Sequence, residues 1–322
     1  MNERREYTRK YGFWNYAEQE ALCDSTVALG GAGGDGFQLG TKLAMMGVRS
    51  FRLADPEVME VENSNRVPGA TTSNLGRNKA EVLAETILDL RPDATVEVYK
   101  EGLTLDNIEQ FVAGADLTID ETELTYPEIG TALAREARKN GIPNLFVMNI
   151  GFAAVATAFR PEGKYTFERM MGFSSDMPLD EVAEQKVDFS HCLPYIPGYA
   201  DLDTLLALTQ DDKEDALAVD ERDEDETKRM KVSLPSIAQG VDLASGMGST
   251  EAFLHLTADV NNKRRQPVWA PRFRYMDAYT GKGGVVRNSR LGYYAGVLTM
   301  ATRSKLGLNP KGEYGRYLHK DF

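Results

Sequence analysis

STVALGGAGGDG, Ser25 to Gly36, joins a short β-type run to a cluster of glycines and then to a helical pattern. Gly31, Gly33 and Gly36 stand at the G-x-G-x-x-G spacing, with Gly34 among them. Missing side chains let a backbone approach a polyphosphate, and the N-terminus of the following helix offers unpaired N–H groups to negative charge. Asp55 closes the next strand-like run, SFRLADP, 19 residues beyond Gly36, where a carboxylate can accept hydrogen bonds from ribose hydroxyls. By itself the stretch specifies a nucleotide crevice and leaves open which nucleotide fills it.

Outward from the glycines, strand-like and helix-like segments alternate. VALGG is the first strand, Gln38 to Met46 a helix, SFRLADP the second strand, Asn78 to Leu90 a helix and TVEVYKE the third strand. A helix around Leu105 to Ala113 leads to ADLTIDET, the fourth strand, and a helix from Tyr126 to Asn140, stopped by Gly141 and Pro143, leads to PNLFVMNIG. This order predicts an α/β fold with a Rossmann-like doubly wound sheet, parallel in its first half. Antiparallel strands are expected in the second half, where ATAFRPEGKYTFER reads as a hairpin around Pro161, Glu162 and Gly163, and RFRYMDAYT and GGVVRN read as late strands. Between them, Leu234 to Thr257 reads as a buried helix whose small residues permit close packing. The expected organisation is an N-terminal helical extension over 1–24, a nucleotide-binding Rossmann-like half over 25–160, a hairpin and acidic excursion over 161–230, and a closing helix with late strands completing the same domain over 231–322.

Composition narrows the setting. The 322 residues carry a net charge of −12 and include 42% hydrophobic residues, a soluble globular profile. No run approaches the roughly 18 apolar residues that span a bilayer, and MNERREYTRKYG lacks the apolar core of a secretory signal, so a cytoplasmic protein without a membrane partner is expected. The two cysteines, Cys23 and Cys192, exclude a four-cysteine zinc site within one chain. From Asp211 to Glu226 ten acids stand against Lys213 and Arg222, which reads as a solvated face or loop. Basic residues gather from Lys263 onward, but no nucleic-acid motif accompanies them, and no nucleic-acid partner is expected.

The residues after Asp55 say more about the ligand. The chain runs DPEVMEVENSNRVPG and then LGRNKAEV, placing Asn63, Arg66 and Lys79 on the loop and helix that leave the carboxyl edge of the sheet. Asp120, ending the fourth strand, reaches the same edge. Two cations beside a carboxylate suit a triphosphate with Mg²⁺ better than a dinucleotide, because a departing pyrophosphate develops charge that must be neutralised.

Asp55, Asn63, Arg66, Lys79 and Asp120, in this order behind GGAGGDG, resemble the ThiF/MoeB superfamily of ubiquitin-activating-type adenylyltransferases, and EYTRKYG resembles the family's N-terminal arginine element, with Arg9 on its arginine. The resemblance covers Tyr7 to about Gly151. It implies ATP-dependent adenylylation of a substrate carboxylate, giving an acyl-AMP and pyrophosphate. It further implies that Gly31, Gly33, Gly34 and Gly36 cradle the nucleotide and that Asp55 holds the ribose. Asn63 and Arg66 would then hold phosphates, Lys79 the ribose and phosphate region, and Asp120 the Mg²⁺. Arg9 would reach a partner subunit's site, which requires a homodimer.

Departures from the pattern leave the substrate open. The zinc cysteines of the sulfur-carrier branches are missing, so no zinc is expected, and ETE follows Asp120 in place of the usual CTDN-type sequence. Cys192, beside His191, is a candidate acceptor nucleophile or an incidental cysteine. The carboxylate belongs to a small molecule, a peptide or a ubiquitin-like carrier. Two other classes stand beside this reading: an NAD(P)-dependent oxidoreductase resting on the glycines and Asp55 alone, and a non-catalytic nucleotide-binding partner subunit.

Overall fold

A computed structural model of the chain describes residues 5–10, 12–124, 126–185, 199–200, 236–261 and 266–287, with Leu298, Thr302 and Leu306. The acidic run at 211–226, His191 and Cys192 lie outside the described residues. After a 3₁₀ turn at Arg5–Lys10, the elements run α1 (Tyr16–Asp24), β1 (Thr26–Gly30), α2 (Gly34–Met46), β2 (Ser50–Ala54), α3 (Lys79–Leu90), β3 (Thr95–Tyr99), α4 (Ile108–Val112) and β4 (Leu117–Asp120). They continue with α5 (Pro127–Lys139), β5 (Asn144–Ile150), β6 (Ala153–Phe159), the short helices α6 (Phe167–Met170) and α7 (Leu179–Ala183), α8 (Ala238–Leu256), β7 (Arg272–Asp277) and β8 (Lys282–Arg287). Among the described residues no helix is long and apolar enough to cross a membrane.

Local chemistry sets the boundaries. Asn15 caps α1 by accepting from the Glu18 N–H at 3.0 Å, and the Asn15 N–H donates to the Glu18 carboxylate at 2.7 Å, a reciprocal capping box. Asn78 caps α3 by accepting the Glu81 N–H at 3.1 Å, without the return bond. Helix α2 stops at Gly47, whose φ of +114° an L side chain rarely adopts. Thr104 and Asn107 exchange side-chain-to-backbone bonds of 2.9 and 3.3 Å, and this turn takes up the first part of the segment expected to be helical from Leu105.

The eight strands form one sheet in the order β3-β2-β1-β4-β5-β6-β7-β8. Strands β1 to β5 are parallel, and β6, β7 and β8 add antiparallel. Alternation along β1 divides the core: Val27 and Leu29 join Leu39, Leu43, Leu83 and Ala244 of α2, α3 and α8. Ala28 faces the other way, into a cluster with Phe111 and Leu133 of α4 and α5. The small residues of α8 permit the close approach read from sequence: a Cβ on Gly248 would stand 2.6 Å from Leu39 Cδ1 and 2.9 Å from Val147 Cγ2.

The expected hairpin at Pro161–Gly163 is not one. A turn forms there, with the Gly163 N–H donating to Arg160 O at 3.0 Å, but it leads into α6. Thr166 caps that helix, and Phe167 and Met170 enter the core from one face. The antiparallel partners of β6 are β5, joined through Gly151 at φ +59°, and β7, more than a hundred residues further on.

Glu168 of α6 is fully buried and ties that helix to α5. It accepts from Arg135 Nε at 3.0 Å and from Arg138 at 2.9 and 3.3 Å. Burial pushes its carboxyl up, but the bonds from Arg138 and Arg135 win and hold it below the usual range. Its stabilisation is therefore present above the ordinary glutamate pKa and lost as pH falls through the lowered folded value. Glu168→Gln is expected to cost about 2 kcal/mol of unfolding free energy at pH 7, discounted for the part-exposed arginines. The deficit should shrink in denaturant titrations at pH 3, and a deficit independent of pH would refute the ion-pair account.

Candidate active site

The crevice opens where β1 has β2 on one side and β4 on the other, the point at which the winding direction of the sheet reverses. Gly30 ends β1 in register with Ala54 and Asp120, and the Gly31 N–H continues the ladder to Ala54 O at 2.7 Å. Gly31 has φ +98°, and a Cβ there would collide with the Glu121 carbonyl oxygen; one on Gly36 would collide with Gly31 O. These two glycines close the loop sterically. Gly33, by contrast, has open space where its Cβ would be, and Gly34 sits 3.0 Å from Val241 of α8 and 3.5 Å from the Arg66 stem, measured from its would-be Cβ. Gly33 and the first turn of α2 therefore leave room for a ligand at a helix N-terminus.

Asp55 is buried at the end of β2, with Oδ2 accepting the Ala32 N–H at 2.7 Å and Oδ1 the Glu57 N–H at 2.8 Å. Burial raises its pKa, opposed by the nearby Lys79 charge and these two N–H groups. Asn63 turns its side chain inward, where Oδ1 accepts from the Glu60 N–H at 3.1 Å, while its backbone carbonyl accepts from Val67 at 2.8 Å and Arg66 at 3.0 Å. Asn63 thus shapes the loop that carries Arg66. The Arg66 guanidinium donates to Glu62 O at 3.1 Å and Asn65 Oδ1 at 3.0 Å, and its charge is felt at Asp35. Lys79, the first residue of α3, is 5% exposed and its ammonium pairs with the Glu57 carboxylate. Asp55 and Arg66 therefore stand against the glycine loop, with Lys79 beside Asp55 and Asn63 in the turn that carries Arg66.

Asp120 lies beneath them. Its Oδ1 accepts from the Thr122 N–H at 3.1 Å and Thr122 Oγ1 at 2.7 Å. The other oxygen, Oδ2, is buried without a hydrogen bond and stands 3.0 Å from where a Cβ on Gly130 of α5 would be, so the carboxyl faces α5 rather than Arg66 and Lys79. Burial raises its pKa to about 6 against the two Thr122 bonds. Arg9, in the N-terminal 3₁₀ turn, is exposed, and its neighbour Tyr7 packs against Gly47 at the far end of α2 from the glycines.

Three groups were not found from sequence. Asp35, inside the glycine run, is buried: Oδ2 accepts from the Asn149 N–H at 3.1 Å and Nδ2 at 2.9 Å, while Oδ1 has no partner. Burial raises Asp35 to about 6 against the Asn149 bonds and the charges of Arg66 and Lys42. Glu121 carries a third orphaned oxygen, and burial together with the Asp35 and Asp120 carboxyls pushes it well above the ordinary range. Asn149, at the end of β5, also accepts from Ser236 Oγ at 3.1 Å and so links the loop to the entry of α8. The acids at positions 35 and 121 were visible as acids; their convergence was not. Among the described residues no group of three or more His, Cys, Asp and Glu side chains forms a metal cage. A site of one or two carboxylates completed by substrate phosphates is the usual arrangement for Mg²⁺.

The sequence profile of the ThiF family matches residues 7–291. The chain is 33% identical over 125 residues to the tRNA threonylcarbamoyladenosine dehydratase of Escherichia coli (strain K12), a match covering 38% of this chain and 46% of that protein. It is 31% identical over 145 residues to the SAMP-activating enzyme E1 of Haloferax volcanii, covering 45% of this chain and 53% of that one. The chain thus spans about half the length of the curated relatives it matches. A crystal structure of E. coli MccB with AMPCPP and MccA superposes with a TM-score of 0.61 at 14% identity, over 90% of this chain and 73% of that one, a likeness of fold. The family profile begins in the N-terminal element at Tyr7 and ends beyond β8, so it takes in the glycine loop and every strand of the sheet; the chain belongs to the ThiF family.

Proposed function

We propose that the crevice binds ATP with Mg²⁺ and transfers AMP to a substrate carboxylate. The observation that carries this reading is the Arg66 stem against Gly34 beside the open helix N-terminus at Gly33, with the buried acid Asp55 bonded to Ala32 of the same loop and the Lys79 charge next to it. A carboxylate is a poor electrophile, and making AMP its leaving group activates it. One carboxylate oxygen attacks the α-phosphorus of ATP, the bond from that phosphorus to the bridging oxygen breaks, and pyrophosphate leaves with the electron pair. The chain supplies no nucleophile for this step; it orients the reactants and offsets charge.

In this reading Gly31, Gly33, Gly34 and Gly36 hold the nucleotide, Asp55 the ribose, Asn63 and Arg66 the phosphates, and Lys79 the region between. The orphaned Oδ2 of Asp120 is the donor a hard cation prefers, and Asp120 would hold Mg²⁺, which when bound neutralises phosphate charge. Arg9 serves the site of a second copy in a homodimer. The carboxylate belongs to a small molecule, a peptide or a ubiquitin-like carrier, and the acyl group passes to an acceptor or cyclises. A cytoplasmic location supplies the ATP.

The intact protein incubated with Mg-ATP and cell extract is expected to yield a new acyl-AMP by mass spectrometry. Asp120→Ala should lower its formation by about 10²-fold or more, the scale of losing a transition-state charge contact. Nicotinamide binding by calorimetry without any acyl-AMP would instead establish the oxidoreductase. For the trans arginine, Arg9→Ala and Asp120→Ala proteins, each inactive alone, are expected to recover up to one working site per heterodimer when mixed. Mixed dimers that form and stay inactive would remove Arg9 from the mechanism.

A further inference from the structure

The connection between β2 and α3 carries a second carboxylate that has no role in the adenylylation step. Glu57 is fixed through its backbone: its N–H donates to Asp55 Oδ1 at 2.8 Å, and its carbonyl accepts the Lys79 N–H at 2.9 Å and Asn78 Nδ2 at 3.3 Å. Its side chain is 45% exposed, unlike that of Asp55, and one oxygen pairs with the Lys79 ammonium. The other oxygen, Oε1, accepts nothing among the described residues. Lys79 is at the same time the main opposing charge at Asp55, so one ammonium serves two carboxylates two residues apart.

We propose that Glu57 is a ribose-recognition residue, its carboxylate taking one hydroxyl of the nucleotide's ribose while Asp55 takes the other. This rests on the ATP site proposed above. Both oxygens of Asp55 already hold backbone N–H groups, which leaves each with about one acceptor position in a residue that is 5% exposed. A vicinal diol needs two acceptors side by side, and Glu57 presents the second at the accessible rim. The shared ammonium offsets the repulsion between the two carboxylates. The pairing also assigns a direction to the crevice. A carboxylate lying on Lys79 repels phosphate, so this end suits the uncharged sugar, and Arg66, bound only to a carbonyl and an amide oxygen, marks the phosphate end.

Calorimetric titration of the intact protein with Mg-ATP, Mg-2′-deoxy-ATP and Mg-3′-deoxy-ATP tests this. The unaltered protein should bind each deoxy analogue about tenfold more weakly than ATP, the scale of one hydrogen bond to a charged group. In Glu57→Ala, ATP and one of the two analogues should bind alike, while discrimination against the other persists. A general loss of structure would weaken all three nucleotides together and leave their ratios unchanged. Glu57→Gln, which keeps the side-chain length, should show the same ratio reduced but not abolished, and serves if the alanine variant does not fold. Full discrimination at both hydroxyls in these variants overturns the role of Glu57 while the ATP site stands. Failure of the unaltered protein to bind any of the three would bring down the ATP reading and this inference with it.

Discussion

Gly31 approaches the carbonyl of Glu121 so closely that no side chain fits, and the rest of the site depends on that contact. The loop leaving β1 crosses over the end of its neighbour β4, and only a residue without Cβ, at a φ an L side chain avoids, can make the crossing. Gly36 then stands as close to Gly31 O as Gly31 does to Glu121, which pins the first turn of α2 over the two strand ends. Once α2 is fixed there, its N-terminus lies at the edge where β1 parts β2 from β4. Asp55 ties its carboxylate to Ala32 in the same loop, so that acid and the glycine loop share one frame.

Charge is arranged around that frame with a consistent asymmetry. Lys79, itself buried, pairs with Glu57, and Arg66 stands on carbonyl and amide oxygens. The acids lie beneath, Asp35 and Asp120 raised to about 6 and Glu121 higher, each chiefly by burial. For such groups the folded state holds protons more tightly than the unfolded chain does. Their contribution to stability is full below about pH 4 and declines as pH rises through 6 and above.

Much of the frame was legible in the sequence because it is built from local chemistry. The glycine spacing, the acid closing β2, Asn78 capping α3 and Gly141 ending α5 each act within a few residues of their own position. Helix α2 begins four residues earlier than its apolar pattern suggests, since Gly34, Asp35 and Gly36 are poor helix formers held helical by the loop and by Val241 of α8. The mistaken hairpin has the opposite origin. Pro161, Glu162 and Gly163 do turn the chain, but a turn does not dictate whether a strand or a helix comes next, and the Phe167 and Met170 spacing that makes α6 lies outside it. Asn149 and Ser236 were beyond reach for a further reason: they matter only because β5 ends level with the glycine loop and α8 returns across it, juxtapositions spanning more than eighty residues.

The position of Arg9 shows how the fold limits what one chain can do for itself. Helix α2 has 13 residues, about 20 Å at 1.5 Å per residue, and the glycine loop occupies one end of it. Tyr7 packs at the other end, against Gly47, where Gln19 also bonds to Met46 O at 2.9 Å and fixes α1 to the same corner. Arg9, two residues from Tyr7 and exposed, belongs to the segment anchored at the end of α2 away from the glycine loop. Phe13 and Tyr16, in the same N-terminal segment, are largely exposed aromatic side chains.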